Sequence, residues 1–222
     1  MHAGVQNDQH KRGPVQNGPV TSVRADANRR RILDVALTEL LHDADASMDQ
    51  IARAAGVVRR TVYGHFPSRE ALIAALVDNA AEAVTDAHTT ATAGIDDPAE
   101  ALTRATLAAW KIADRYRLLV ALAQRSVTVE GIKQRLTPVR KECTDLLQRG
   151  LDEGVFTSPL PAAAIAYVHE QSLFALMEAV NDGALPAEEA AAAAAHTALT
   201  TAGVPAARAA SVIAGALGAD TP

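Results

Sequence analysis

Apolar positions recur at three- and four-residue spacing from Ile32 onward. Ile32, Leu33, Ala36, Leu37, Leu40 and Leu41 make one stripe of a helix that begins near Arg24 and breaks at Asp43-Ala44-Asp45-Ala46. A shorter stripe follows in Met48, Ile51, Ala52 and Ala55. Ser47 opens it as an N-cap, and Gln50, three residues on, is its capping-box partner. Gly56 suits the left-handed position just past a helix end, so this helix is about two turns long. A second short helix is predicted over roughly 58–66 and is stopped by Pro67. Ser68 then caps a longer helix, with Glu70 in its first turn at the positive end of the dipole. Leu72, Leu76, Ala80, Ala83 and Ala87 carry it to about Thr92.

The remainder reads the same way. Asp97-Pro98-Ala99-Glu100 is a strong helix start, with a capping Asp, a Pro in first position and a Glu in third. Helices are expected over about 98–113, 115–126, 131–153, 161–181, 186–202 and 205–217, with Gly154, Gly183 and Gly203 at their ends. Strand signals and internal repeats are absent, so the expected class is all-α. Residues 1–23 hold Gly4, Gly13, Pro14, Gly18 and Pro19 among polar residues without periodicity, which predicts a disordered tail. Lys11 and Arg12 in that tail either sit in solvent or touch a nucleic-acid backbone.

Composition narrows the class. Hydrophobic residues are 49% of the 222-residue chain and aromatics 3%, as expected of a globular, alanine-rich helical protein. The single cysteine, Cys143, cannot form an internal disulfide, which fits a reducing cytosol. No apolar run approaches the ~18 residues of a membrane span. The expected location is therefore the cytoplasm, without membrane attachment. The net charge of −5 is unevenly placed. Residues 24–77 carry eight arginines against seven acids, whereas residues 78–222 carry eleven basic residues against eighteen acids. A basic face fits inside the first third, and the remainder would not be drawn to phosphate.

That face is in "GVVRRTVYGHFPSREAL", residues 56–72. Two short helices joined by a tight glycine turn are the sequence form of a helix-turn-helix, whose second helix enters the DNA major groove. Val62 and Phe66 make the apolar underside of that helix, with Val58 either below it or at its entry. Arg59, Arg60, Tyr63 and Gly64 face outward. An arginine can grip guanine with two hydrogen bonds or can bind phosphate, and Gly64 lets the backbone approach the bases. Thr61, Tyr63 and Arg69 suit phosphate. Taken alone, two arginines on a short amphipathic helix are most often just a solvated face.

The full order of residues adds more. "SMDQIARAAGVVRRTVYGHFPSREAL" closely resembles the DNA-binding segment of TetR-family (tetracycline-repressor-like) regulators. The matching positions are Ser47, Ile51-Ala52, Ala55-Gly56-Val57, Thr61-Val62-Tyr63, His65-Phe66, Ser68-Arg69-Glu70 and Leu72, and Arg29–Leu41 resembles the family's first helix. Val58 stands where that family commonly has Ser, and Arg69 replaces the usual Lys. The resemblance implies a three-helix DNA-binding domain over 24–70, after the tail 1–23, and an effector-binding and dimerisation domain over 71–222. It implies base contacts from Arg59, Arg60 and Gly64, and phosphate contacts from Ser47, Thr61, Tyr63, His65 and Arg69. His65 has a competing reading as a packed structural residue beside Phe66.

The resemblance also implies a homodimer on a near-palindromic double-stranded DNA operator, built through the helices near 161–181 and 186–202. Ala166, Ser172, Ala175 and the run Ala190–Ala195 offer small residues for close helix approach, although an all-alanine stretch is equally the mark of an exposed, merely stable helix. A small-molecule effector is implied, with a cavity in the second domain. Trp110, Tyr116, Tyr167, His169, Phe174 and Met177 are its candidate lining, since such pockets are apolar with few polar groups, with ordinary core packing as the competing reading of each. The expected output is a ligand-released repressor; an activator, or an architectural DNA-binding protein without an effector, stays open. An enzyme is not expected. His169-Glu170 begins like a zinc-protease motif, but Leu173 stands where the second histidine would be. Catalytic residues, metal and cofactor are all expected to be none.

Overall fold

The structure, a computed structural model, describes residues 19–123 and 129–219. Among them ten α-helices run in chain order, with no strand. They are α1 (Pro19–His42), α2 (Met48–Ala54), α3 (Arg59–His65), α4 (Arg69–Thr92), α5 (Pro98–Ala123), α6 (Val129–Arg135), α7 (Thr137–Asp152), α8 (Ala162–Asn181), α9 (Ala187–Thr201) and α10 (Ala206–Ala219). The all-α class is as the sequence predicts.

Three boundaries differ from expectation. The tail read as disordered to residue 23 ends earlier, because α1 already starts at Pro19, a residue pre-set for the first helical position. Residues 25–31 are exposed apart from the half-buried Asn28 and carry no apolar stripe, so periodicity does not reveal this stretch. Residues 1–18, and with them Lys11 and Arg12, lie outside the described residues. The break expected near residue 114 is absent, and α5 runs unbroken. Its Asp114 is tied to Arg117 at 2.9 Å, one turn away, so the carboxylate does not compete for the backbone. The single helix expected over 131–153 is two. Pro138 lies in the first turn of α7, lacks an N–H and crowds the carbonyl four residues back, so the chain re-starts at Leu136 (φ −84°, ψ 0°).

The first three helices and the start of α4 close on one apolar cluster. Ile32, Leu40, Ile51, Phe66, Leu72, Ile73 and Leu76 are almost entirely withdrawn from solvent there. Each such side chain contributes about 1.5–3 kcal/mol. The cluster continues through Val77 to Tyr116 of α5 and Ile132 of α6. In the second part α5 is the central rod, flanked by α4, α7, α8, α9 and α10. Leu102, Leu147, Phe156, Ile165 and Leu199 fill the space among these helices. Gly150 is required there: a Cβ on it would sit 2.2 Å from the Phe156 ring. The alanines of α9 serve the same body, since Ala190, Ala194, Ala195 and Ala198 are buried, as is Ala166 of α8. Part of the small-residue surface that the sequence offers to a partner helix is thus used within the chain.

Candidate functional sites

Local chemistry sets the geometry of the α2–α3 unit. Ser47 Oγ accepts from the Gln50 N–H at 3.3 Å, and Gln50 Oε1 accepts from the Ser47 N–H at 2.8 Å, so α2 starts with a complete capping box. It ends in a Schellman turn: Gly56 takes φ +63°, its N–H reaches the Arg53 carbonyl, and the Val57 N–H reaches that of Ala52. This turn sets the angle at which α3 leaves. Val58 then occupies the N-cap of α3 with no side-chain cap and is 69% exposed, so it is the helix entry and not part of the underside. Val62 and Phe66 are the underside, at 0% and 2% exposure.

The outward side of α3 carries Arg59, Arg60, Tyr63 and Gly64, all exposed, flanked by the half-buried Thr61 and His65. The two arginines differ. Arg59 is drawn back toward α2: it pairs with Asp49 at 2.7 Å, donates to the Tyr63 hydroxyl at 3.4 Å and lies 5.0 Å from the centre of that ring. Arg60 is exposed and in no ion pair among the described residues. A Cβ on Gly64 would meet nothing within 4 Å, so this glycine is not required by packing inside the chain. His65 contacts the Phe66 ring, with centroids 6.2 Å apart. The Arg29 guanidinium of α1 lies 5.1 Å from the centre of the same ring. Arg69 turns its guanidinium to the α1–α2 loop, donating to the carbonyls of Ala46 (3.5 Å) and Ala44. It therefore holds that loop, while its remaining N–H groups are free of these two bonds.

A cavity of about 130 Å³ lies within the second part, bounded by α4, α5, α6, α7 and α8. Its walls are mainly apolar, including Val77, Val84, Ala105, Ile112 and Leu173. Of the six residues expected in its lining, Tyr116, His169, Phe174 and Met177 are there. Trp110 and Tyr167 are not. Trp110 is buried on another side of α5, packed in a cluster with Met177, Ala190 and Ala194. Tyr167 points outward at 47% exposure, where Lys133 donates to its hydroxyl at 3.3 Å.

Four polar or reactive lining residues were not foreseen: His88, Arg140, Cys143 and Glu170. Arg140 grips Glu170 with two hydrogen bonds, at 2.7 and 3.0 Å, and also donates to the Lys133 carbonyl at 2.9 Å. His88 Nδ1 lies 3.2 Å from Glu142 Oε2. Burial holds the His88 ring below its ordinary pKa, against the pull of Glu142. Burial, helped by repulsion from His88, lowers His169 to about 4. Burial also pushes the Cys143 thiol up to about 12, with Glu170 adding to the shift. At neutral pH the two imidazoles and the thiol are therefore uncharged, and the one charged pair in the wall is matched. Among the described residues no group of three or more His, Cys, Asp or Glu is placed to hold a metal ion. No helix among them is long and apolar enough to cross a membrane.

Comparison with known proteins addresses both parts. The family model "Bacterial regulatory proteins, tetR family" matches residues 32–76, which span α2, α3 and the ends of α1 and α4 that pack on them. The HTH-type transcriptional regulator SrpR of Pseudomonas putida is 41% identical over 59 residues, 26% of this chain and 28% of SrpR, so the matched segment spans little more than a quarter of that relative. The fold over most of the chain is shared more widely. The regulator LfrR of Mycobacterium smegmatis, solved with proflavine, superposes with a TM-score of 0.62 at 23% identity over 81% of this chain and 97% of LfrR. RolR, solved with resorcinol, does so with a TM-score of 0.61 at 22% identity over 86% of this chain and 95% of RolR. The helix-turn-helix segment is thus similar by sequence to the tetR family of bacterial regulatory proteins, and the remaining helices share the fold of solved regulators.

Proposed function

We propose that this protein is a dimeric transcriptional repressor that binds a near-palindromic operator through α3 and is released by a small molecule in the internal cavity. The observation that carries this reading is the course of α4. Its first turns put Leu72, Ile73 and Leu76 into the core of the helix-turn-helix unit, and its last turns put Val84 and His88 into the cavity wall. One continuous helix thus joins the two sites, so a ligand that favours one position of α4 has unequal affinity for the two states of the DNA-binding unit. Coupling of about 1–3 kcal/mol is the usual size of such effects. The complexes of RolR with resorcinol and of LfrR with proflavine support a small-molecule effector.

Arg60 and Arg59 are assigned to base edges, with Gly64 giving the backbone close approach. Ser47, Thr61, Tyr63 and His65 are assigned to phosphate. Arg69 is assigned to phosphate through the N–H groups not used on the Ala44–Ala46 loop. The functional units are then a DNA-binding domain to about residue 70 and an effector and dimerisation domain beyond it, acting in the cytoplasm without a cofactor or catalysis. Tyr167 and Val168 of α8, at 47% and 38% exposure, support α8 with α9 as the dimer surface. Pairing there would set two recognition helices about 34–36 Å apart, on successive major grooves. Selection of bound fragments from a random DNA pool tests the whole reading. A two-fold symmetric consensus is expected, and no sequence preference at low ionic strength rejects it. Repeating the selection with candidate effectors should deplete that consensus if the protein is a ligand-released repressor.

A further inference from the structure

The polar corner of the cavity states what its ligand must bring. Thr106 Oγ1 donates to the Leu102 carbonyl at 2.8 Å, which uses its only proton. Its contact with His169 Nε2, at 3.5 Å, then has the proton on the ring nitrogen. In a neutral imidazole the other nitrogen is a bare lone pair. That nitrogen, His169 Nδ1, is buried and has no hydrogen-bond partner.

His88, reaching in from α4, has the same arrangement. Its Nδ1 lies 3.2 Å from Glu142 Oε2, out of line for a hydrogen bond. A carboxylate at that distance repels a lone pair and favours the proton on Nδ1. His88 Nε2 is then the second lone pair, also buried and without a partner. A buried acceptor left unmatched is costly, so both nitrogens call for donors. Nothing else in the wall calls for a charge: Arg140 and Glu170 satisfy each other, and burial keeps both rings neutral.

We propose that the cavity takes a small neutral molecule with an apolar body of about one ring, whose hydroxyl-type donors meet His169 Nδ1 and His88 Nε2, and that it rejects carboxylates and amines. The size follows from the volume of about 130 Å³, close to an apolar cavity of roughly 150 Å³ that takes benzene. The inference rests on the cavity being the effector site. It adds that the donor received by His88 acts directly on α4.

Calorimetry and thermal shift on the full chain, without oxygen, test it with catechol, 1,2-dimethoxybenzene, toluene, benzoate and benzylamine. Catechol should bind about tenfold or more tightly than its dimethyl ether, the size expected for one hydrogen bond. Benzoate and benzylamine should not bind. His169→Leu and His88→Leu should each cut the advantage of catechol over toluene about tenfold. The catechol-to-ether ratio is read on the unaltered protein, so it does not depend on either variant folding. If the ether or toluene binds as well as catechol, the donor requirement falls while the effector cavity stands. If benzoate or benzylamine binds best, the neutral-ligand claim falls. If no probe binds, the reading of the cavity as an effector site falls with the inference.

Discussion

Arginine serves opposite ends in the two halves of this molecule. On α3, Arg59 and Arg60 stand in water on a seven-residue helix, one held by an exposed pair with Asp49 and by Tyr63, the other in no ion pair among the described residues. In the cavity wall, Arg140 is gripped by a carboxylate whose side chain is only 10% exposed and is capped by a backbone carbonyl. The first arrangement leaves positive charge available to an anionic partner at little expense to stability, because an exposed ion pair is worth about 0–1 kcal/mol. The second takes the charge out of circulation. One half presents its chemistry outward on a scaffold that would fold without it; the other builds its chemistry into the core, where each polar group must be matched.

The contrast is broken most forcefully at Glu170. Replacing it with Ala leaves the Arg140 guanidinium in the wall without its carboxylate. Breaking a buried pair in this way costs about 3–5 kcal/mol, and the partial exposure of Arg140 moves the expectation to the lower end. Urea denaturation should show a loss near 3 kcal/mol, with a much smaller loss for Asp49→Ala, which breaks the exposed pair. Equal losses from the two variants would mean that the cavity pair is solvated in practice.

A pH titration probes the same difference through the histidines. His169 titrates near 4 in the folded chain and near 6.5 when unfolded. Between those values the unfolded chain binds the extra proton, so stability is complete above about 6.5, falls as pH drops toward 4 and levels off below. The contribution is about 3 kcal/mol at most. His88, also lowered, acts with the same sign. His169→Leu should flatten the pH dependence of unfolding free energy across that window. An unflattened slope in His169→Leu would mean that the ring is hydrated.

The two halves were also unequally legible. Helix-turn-helix geometry depends on signals a few residues apart: Ser47 with Gln50, Gly56 at a left-handed turn, Pro67 as a stop. Its exposed residues follow from one short helix with a known apolar side. The cavity depends on which helices meet, and that is settled by residues far apart in the chain, such as His88 and His169, 81 positions apart. Choosing pocket residues by side-chain type found Tyr116, His169, Phe174 and Met177. The same rule misplaced Tyr167, which lies two residues and about 200° around α8 from His169. Arg140 and His88 carry no periodic signature, since a polar residue facing a core looks in sequence like one facing water. The signal for the α6–α7 break was present in Pro138 and was outweighed by the apolar period around it.

Within α3 the comparison sharpens to two neighbouring side chains. Arg60→Ala should cost about 1–3 kcal/mol in specific operator binding if that residue reads a guanine, with no change in unfolding free energy. Arg59→Ala should cost a similar amount of binding and also a few tenths of a kcal/mol in stability, because the pair with Asp49 ties α3 to α2. Binding by both variants with an unchanged operator preference would reject base readout by these arginines. A loss confined to Arg59 would place the reading residue at the helix start.

The smallest effect is expected at Val58, where the scaffold departs from the most stable choice. The residue holds an extended N-cap conformation (φ −75°, ψ 149°), yet its side chain cannot accept a hydrogen bond and is 69% exposed. The first N–H groups of α3 beyond the Thr61–Val58 bond thus depend on solvent. Val58→Ser supplies an oxygen at that place without disturbing the underside formed by Val62 and Phe66, and it should stabilise the chain by about 0.5–1 kcal/mol in urea denaturation. The same oxygen stands at the mouth of a helix whose other exposed groups are assigned to DNA. If Val58 is kept for its part in operator binding, the variant gains stability and changes affinity. If it is a tolerated gap in the cap, stability rises while affinity and salt dependence stay put. A variant no more stable than the parent would mean that water already satisfies these donors as well as a hydroxyl can.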